Sequence, residues 1–181
     1  MPMLIKEWKI LEAGGRKWKM FGIFAAISFQ KMTYFIDEYI SKLDDKGRLV
    51  MPSAFRNAMP EGSDMRFVVR KDIFADCLEM YPIEAWAKQS REVEDRLDKF
   101  NKDHMLFWRE YMRNRTLVEP DAKFGRITIP PRLLEAIGVT KEVVFFGNDY
   151  KIEIWAREKY EASAISEEQY LEIAGKLSQQ R

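Results

Sequence analysis

An internal repeat constrains the fold of this chain more than any other feature. Residues 47–52, Gly-Arg-Leu-Val-Met-Pro, recur 78 residues later as Gly-Arg-Ile-Thr-Ile-Pro at residues 125–130. A second pair, Leu-Glu-Met-Tyr at 78–81 and Ile-Glu-Ile-Trp at 152–155, recurs in the same order 74 residues apart. Because self-similarity at a regular spacing is the signature of a repeated module, these matches indicate two copies of one structural unit.

The two copies are predicted to contain the same order of elements. A first strand leads through a turn into a second strand, and a proline ends the second strand and opens a short helix. A third strand, a polar turn and a fourth strand with the shared glutamate follow, and alternating apolar and polar residues support the strands. The predicted first, second and third strands span residues 34–43, 49–51 and 65–69 in the first copy and residues 116–118, 127–129 and 142–146 in the second.

Helices are predicted within, between and after the copies. The short helices span residues 53–59 and the segment that begins near Pro131, where Gly138 is a suitable C-terminal cap. Apolar residues at helical spacing predict helices over residues 83–113, and residues 157–177 predict one or two more, with a capping box at residues 166–169. We interpret these longer helices as covers for the sheets or as subunit contacts.

Composition excludes several classes of protein. The chain has 181 residues with 46% apolar side chains, enough for a hydrophobic core. Its one cysteine, Cys77, excludes an internal disulfide framework, and with only one histidine, His104, it argues against a zinc site built from this chain. Since neither a phosphate-binding loop nor a nucleophile elbow is present, we expect no catalytic residues, no metal and no cofactor.

Charge and hydropathy single out the N-terminus. Residues 1–33 carry a net charge of +4 and the rest of the chain −3. The apolar run at residues 20–29 is too short to span a bilayer, which takes about 20 residues, although it fits the core of a secretory signal with a cleavage site at residues 26–28. Because Glu7 and Glu12 precede it, we favour an upstream extension outside the fold, with the functional protein starting at Met32, and expect no membrane partner.

The turn at residues 44–48, Asp-Asp-Lys-Gly-Arg, has the pattern of a DNA contact. Asp44 and Gly47 suit a tight turn, because the carboxylate accepts from turn amides and glycine tolerates positive φ. Lys46 is then exposed at the tip, and Arg48 lies at the base beside Asp44. A guanidinium oriented by a carboxylate can bond guanine O6 and N7, and Lys46 would contact phosphate. The alternative is a simple cross-turn ion pair.

With these motifs the chain resembles the MraZ transcriptional regulators, tandem members of the SpoVT/AbrB-like group of DNA-binding proteins. The resemblance runs from residue 32 to about residue 178. It is carried by residues 32–35, 42–52 with Phe55 and Arg56, 71–74 and 78–82, and in the second copy by residues 121–130, Gly138 and 151–156.

The resemblance implies an α+β fold of two tandem SpoVT/AbrB-like, swapped-hairpin-type β-barrel halves with short helices, linking helices and C-terminal helices. The implied organisation is an N-terminal extension at residues 1–33, a first module at 34–82, a helical linker at 83–113, a second module at 114–157 and a helical tail at 158–181. It also implies a cytoplasmic, nucleoid-associated regulator that assembles into a ring homo-oligomer. The implied ligand is double-stranded DNA with G-rich direct repeats, in the promoter of the division and cell-wall gene cluster.

The family signature, an aspartate four residues before an arginine, fits the two copies unequally. In the first copy it is Asp44 and Arg48. In the second, the DNA-contacting candidates are Lys123 and Arg126 with Gly125, but the signature position holds Ala122 and Asp121 lies one residue early. Either this turn is one residue longer, or its arginine lacks an orienting carboxylate.

Other classes of function stay open at this point. One is an AbrB-like antitoxin or protein-interaction module that acts through its helices. A carboxylate-based enzyme is disfavoured, because an aspartate beside an arginine has a lowered pKa that suits ion pairing better than proton transfer. The last is a secreted or membrane-anchored protein directed by residues 17–29.

Overall fold

The computed structural model of this protein describes residues 33–179. The predictions for the apolar run, the secretory signal and the N-terminal extension fall outside these residues, apart from Thr33.

The described part of the chain is an α+β structure with eight strands and six helices, in the predicted order. The strands are β1 (Glu38–Lys42), β2 (Arg48–Val50), β3 (Phe67–Lys71), β4 (Cys77–Pro82), β5 (Thr116–Val118), β6 (Arg126–Thr128), β7 (Glu142–Asn148) and β8 (Lys151–Ala156). The helices are α1 (Ser53–Ala58), α2 (Ile83–Glu94), α3 (Lys102–Met112), α4 (Pro131–Ala136), α5 (Arg157–Ala162) and α6 (Glu167–Ser178).

The strands of the two copies join in shared sheets. Six of them form one antiparallel sheet in the order β1-β7-β8-β4-β3-β5, and β2 and β6 form a separate two-stranded ribbon. The first strand of each copy pairs with the third strand of the other copy, since β1 pairs with β7 and β5 with β3. The expectation of two β-barrel halves differs from the structure: six of the described strands form one open sheet, because β4 pairs with β8 and joins the strands of the two copies edge to edge.

The main core lies between the ribbon and one face of the six-stranded sheet. Leu49 of β2 and Ile127 of β6 are fully buried in the same cluster as inward-facing residues of the sheet, such as Phe67 of β3 and Phe145 of β7. Phe55 of α1 is also buried there. Because side chains alternate along a strand, burying these residues turns their neighbours on the ribbon to the outside.

The opposite face of the sheet is covered by α2 and α3. Trp86 of α2 and Tyr111 of α3 stack with ring centroids 5.8 Å apart and form a second cluster with Val68 and Tyr81. This helical layer therefore lies across the sheet from the ribbon.

A buried charged network ties the two copies together beneath that layer. Glu79 of β4 lies directly opposite Glu153 of β8 in the strand register. The Glu79 carboxylate accepts from Lys151 Nζ at 2.7 Å and lies 3.3 Å from Arg70 Nη1. Burial opposes the charge on Lys151, but the hydrogen bond and charge of Glu79 outweigh it and raise the pKa of that lysine. The two cations thus offset two carboxylates that would otherwise repel each other.

Several predicted boundaries differ from the structure. The first strand was expected over residues 34–43 but begins at Glu38, because Asp37 has a left-handed backbone with φ of 75° and interrupts it. Phe35 makes only an isolated bridge to Asp149. The third strand begins at Phe67 instead of residue 65, because the Asp64 carboxylate accepts the Arg66 amide in a local turn. The capping box of α6 is present as predicted.

None of the helices within residues 33–179 is long and apolar enough to cross a membrane. Nor does any group of three or more His, Cys, Asp or Glu side chains in that range come together in a way that could hold a metal ion.

Candidate nucleic-acid interface

The ribbon presents both signature arginines on one outward face. In the antiparallel register, Arg48 lies opposite Thr128 and Val50 opposite Arg126. Since residues opposite each other and two apart along a strand share a face, these four side chains lie on the same side of the ribbon. Val50 and Thr128 are exposed and both arginines are half-buried. We call this surface, with the turns at residues 44–47 and 121–125, the ribbon face.

The first turn closes as a tight hairpin. The Gly47 amide donates to the Asp44 carbonyl at 2.9 Å, and Gly47 has a φ of 71°. The Asp44 carboxylate accepts the amides of Lys46 and Arg48 at 3.0 and 2.9 Å through Oδ1. This turn leaves the side chain of Lys46 exposed at the tip.

Asp44 also fixes the guanidinium of Arg48. Its Oδ2 accepts from Nε at 2.9 Å and pairs with Nη2 at 2.8 Å. These hydrogen bonds from Arg48, side chain first and then backbone, lower the pKa of Asp44 to about 2. The carboxylate uses the side edge of the guanidinium, formed by Nε and Nη2, so the end edge formed by the two Nη atoms stays available. A free end edge is the donor pair that a guanine O6 and N7 accept.

The second turn is one residue longer than the first and uses its aspartate differently. The Gly125 amide donates to the Asp121 carbonyl, as Gly47 does to Asp44. The Asp121 carboxylate accepts the amides of Lys123, Phe124 and Arg126 at 3.0, 2.7 and 3.0 Å. These backbone hydrogen bonds, that of Phe124 first, lower the pKa of Asp121. No hydrogen bond within residues 33–179 joins this carboxylate to the guanidinium of Arg126, so both anticipated departures occur together.

An aromatic ring lies beside Arg126 in place of the carboxylate. The guanidinium carbon of Arg126 is 4.3 Å from the centroid of the Phe124 ring, and Lys123 Nζ is 5.0 Å from it. Phe124 is 46% exposed at the turn. The second turn therefore gathers two cations around one exposed ring.

The base of the second turn requires a glycine. Gly125 has a φ of 68°, and a Cβ built there would lie 2.5 Å from Nε of Arg56 on α1. At Gly47 a Cβ would meet nothing within 4 Å. Arg56 therefore packs against Gly125 of the second turn. The equivalent position of the second copy, 78 residues later, is the buried Leu134, so in the described part of the chain the first turn has no matching arginine beside Gly47.

All eight site residues predicted from the sequence lie in the two turns or at the adjoining ends of β2 and β6. They are Asp44, Lys46, Gly47, Arg48, Asp121, Lys123, Gly125 and Arg126. Sequence reasoning did not single out Phe124 or the packing of Arg56. The one-residue offset of Asp121 was the signal that pointed to an altered turn, and Phe124 lies within it.

Comparison with known families follows the same two halves. The model of the family described as "MraZ protein, putative antitoxin-like" matches residues 34–109 and 112–174.

Individual relatives agree over most of their length. A protein of Bacteroides fragilis named transcriptional regulator MraZ is 40% identical over 130 residues, which are 72% of this chain and 82% of the relative. Proteins of the same name from Bacteroides thetaiotaomicron and Clostridium tetani are 37% identical over 139 residues and 35% identical over 148 residues. These matches cover 77% and 80% of this chain and 88% and 97% of the relatives. The two segments that the family model matches contain both turns of the ribbon face, and the model and these relatives together show that the chain belongs to the MraZ family.

Proposed function

We propose that this chain is a sequence-specific DNA-binding transcriptional regulator that contacts G-rich direct repeats through the ribbon face. Its relatives are named transcriptional regulators. By resemblance to the family, its target is the promoter of the division and cell-wall gene cluster, and it acts in the cytoplasm at the nucleoid.

One observation carries this proposal: the two arginines share one outward face, and Asp44 orients Arg48 without using its end edge. A two-stranded ribbon fits the major groove, where guanine offers the acceptor pair that suits an arginine fork. Lys46 and Lys123 flank the arginines and would reach phosphates, which hold the ribbon in register without reading sequence.

The charge balance favours binding by many weak contacts. Outside residues 1–33 the chain has a net charge of −3, so one subunit has no overall excess of positive charge that would attract DNA. Each neutralised phosphate contributes a salt slope of only about −0.9. A ring homo-oligomer would make each further contact intramolecular and raise affinity by about 10²- to 10⁴-fold. Such binding requires repeated sites at a regular spacing.

The exchange of strands between the copies supports the swapped-hairpin arrangement of AbrB-like proteins. We assign the first module to residues 34–82 and the second to residues 114–157. Residues 83–113 form the helical linker and residues 158–181 the tail. On this assignment one chain presents the paired ribbon that two chains present in a dimer.

Substitution of Arg48 by alanine tests the function. Each arginine–guanine contact is worth about 1–3 kcal/mol of discrimination, or about 5- to 150-fold in affinity. We expect Arg48→Ala to lose that factor on promoter DNA with intact repeats and little on DNA with scrambled repeats. Fluorescence anisotropy measures both, and light scattering checks that the oligomer is unchanged.

The matched control is Arg91→Ala on α2, an exposed arginine on the helical layer across the sheet from the ribbon. It should leave binding to either DNA unchanged. If Arg48→Ala binds intact repeats as tightly as the wild-type chain does, the proposed contact is wrong.

A second function, an antitoxin or protein-interaction module, is favoured by α6. Every described side chain of this helix is exposed, and Tyr170, Leu171, Ile173 and Leu177 are all apolar. The matching family is also described as antitoxin-like. On this reading, Tyr170→Ser with Ile173→Ser should abolish binding of a purified partner protein and leave repeat-specific DNA binding intact. Loss of repeat-specific DNA binding in that variant would contradict a separate protein-binding role for α6.

A further inference from the structure

The two turns of the ribbon face hold their signature arginines by different contacts. In the first, Asp44 holds the Arg48 guanidinium through Nε and Nη2. In the second, Asp121 accepts three backbone amides and Arg126 lies over the Phe124 ring instead. A cation above a ring within about 6 Å of its centroid is attracted by the negative face of the π system. Phe124 is thus in a position to restrict the side chain of Arg126.

We propose that Phe124 is a positioning residue for DNA binding, which orients Arg126 by stacking as Asp44 orients Arg48 by ion pairing. This inference rests on the proposed function. It assigns a role to Phe124, whose apolar ring is exposed at a surface proposed to bind a polyanion.

The two kinds of contact fix an arginine to different degrees. A carboxylate paired with Nε and Nη2 fixes both the plane of the guanidinium and its rotation within that plane. A ring face fixes the plane alone, because the π system offers no directional acceptor at its rim. Within residues 33–179 no hydrogen bond occupies the guanidinium of Arg126, so its five N–H donors remain available to DNA there. The second turn should tolerate a change of base at its contact better than the first turn does.

Lys123 adds a second cation at the same ring. Its ammonium is 5.0 Å from the Phe124 centroid, while the Asp121 carboxylate accepts the backbone amide of Lys123. Both cations therefore lie within about 5 Å of the centroid of one exposed ring. This arrangement suits contact with phosphates on either side of a base edge.

Ring-specific substitutions separate stacking from simple packing. Phe124→Leu keeps an apolar side chain and removes the ring, and Phe124→Tyr keeps the ring. A cation–π contact at an exposed site is worth about a two- to fivefold change in affinity. We expect Phe124→Leu to weaken binding to intact repeats by that factor and Phe124→Tyr to retain wild-type affinity. Phe74→Leu is the matched control, because Phe74 is 96% exposed in the connection between β3 and β4, outside both turns of the ribbon face.

A double-mutant cycle with Arg126→Ala shows whether Phe124 acts through the arginine. If it does, Phe124→Leu has no further effect once Arg126 is alanine. An equal loss in both backgrounds would mean that the ring contacts DNA itself, and an unchanged affinity of Phe124→Leu would mean that the ring does nothing. Either result overturns the proposal, and so does a loss of affinity in Phe124→Tyr.

A measurement without DNA makes the outcome independent of the proposed function. In NMR spectra of the intact protein, the side-chain δ protons of Arg126 should show an upfield ring-current shift that is lost in Phe124→Leu and kept in Phe124→Tyr. Absence of that shift in the wild-type chain contradicts the stacking. A shift that is present in a protein whose Arg48→Ala variant still binds intact repeats would instead place the failure in the proposed function.

Discussion

The buried carboxylate of Glu79 offers the sharpest test of how the two copies are joined. Glu79 is 5% exposed and accepts from Lys151 Nζ at 2.7 Å and the Tyr81 hydroxyl at 2.8 Å, with Arg70 Nη1 at 3.3 Å. Glu79→Gln keeps the shape of the side chain and removes its charge. The buried Arg70 and the partly buried Lys151 would then lose their shared counter-charge.

The expected loss follows from what each cation keeps. Breaking a buried ion pair by removing one partner costs about 3–5 kcal/mol. Lys151 would retain Glu153 at 3.4 Å, and Arg70 would retain the ring of Tyr111 at 4.0 Å, so the lower end applies. A loss of about 3 kcal/mol corresponds to a melting temperature lower by about 6–12 °C for a chain of this size.

Urea and thermal unfolding followed by circular dichroism measure this loss. Glu84→Gln, which changes an exposed glutamate of α2, is the matched control and should stay within about 0.5 kcal/mol of the wild-type stability. In the wild-type chain, the contribution of Lys151 to the free energy of unfolding should persist at neutral pH. It should be lost as pH rises above the usual lysine pKa of 10.5 and through the folded pKa, because the folded pKa of Lys151 is raised. If Glu79→Gln is as stable as Glu84→Gln, the network does not join the copies as described.

Three more predictions concern the turns and the C-terminal helix. Because the pKa of Asp44 is lowered to about 2, the hairpin contact it makes with Arg48 is lost only as pH falls through that value, and DNA affinity measured by anisotropy should change less than about twofold between about pH 8 and 5. Gly125→Ala forces a left-handed alanine and displaces Arg56, so urea unfolding should show a loss of at least about 1–2 kcal/mol, and no loss would contradict the positive φ. Ser166→Ala removes a cap worth about 1 kcal/mol to α6, so hydrogen exchange in α6 should quicken while the melting temperature stays unchanged.

The sequence predicts local structure well where a residue acts on its own neighbours. Gly47 and Pro52 bracket β2 because their backbone preferences are intrinsic, and the capping box at Ser166 begins α6 for the same reason. The alternation of buried and exposed residues also placed Leu49 inward. These are short-range effects that one segment determines alone.

Residue patterns within a segment do not predict which distant strand that segment pairs with. Nothing in residues 38–42 specifies β7 as the partner of β1, because many apolar strands satisfy the same alternation. The left-handed backbone of Asp37 depends on that partner, since its carbonyl accepts the Gly147 amide. The offset of Asp121 indicated an altered second turn, but the contact between Phe124 and Arg126 depends on the conformation of that turn, which the offset did not specify.

The exchange of first strands has a consequence for synthesis on the ribosome. At typical translation rates, the roughly 100 residues between β1 and β7 take about 5–20 s to emerge, and β1 has no hydrogen-bonding partner during that interval. The β3–β4 hairpin likewise has two open edges, since β3 pairs with β5 and β4 with β8. The nascent chain therefore exposes the unpaired edges of β1 and β4 until β7 and β8, in the last quarter of the protein, have left the exit tunnel. A chain that ends between the modules lacks both of these partner strands.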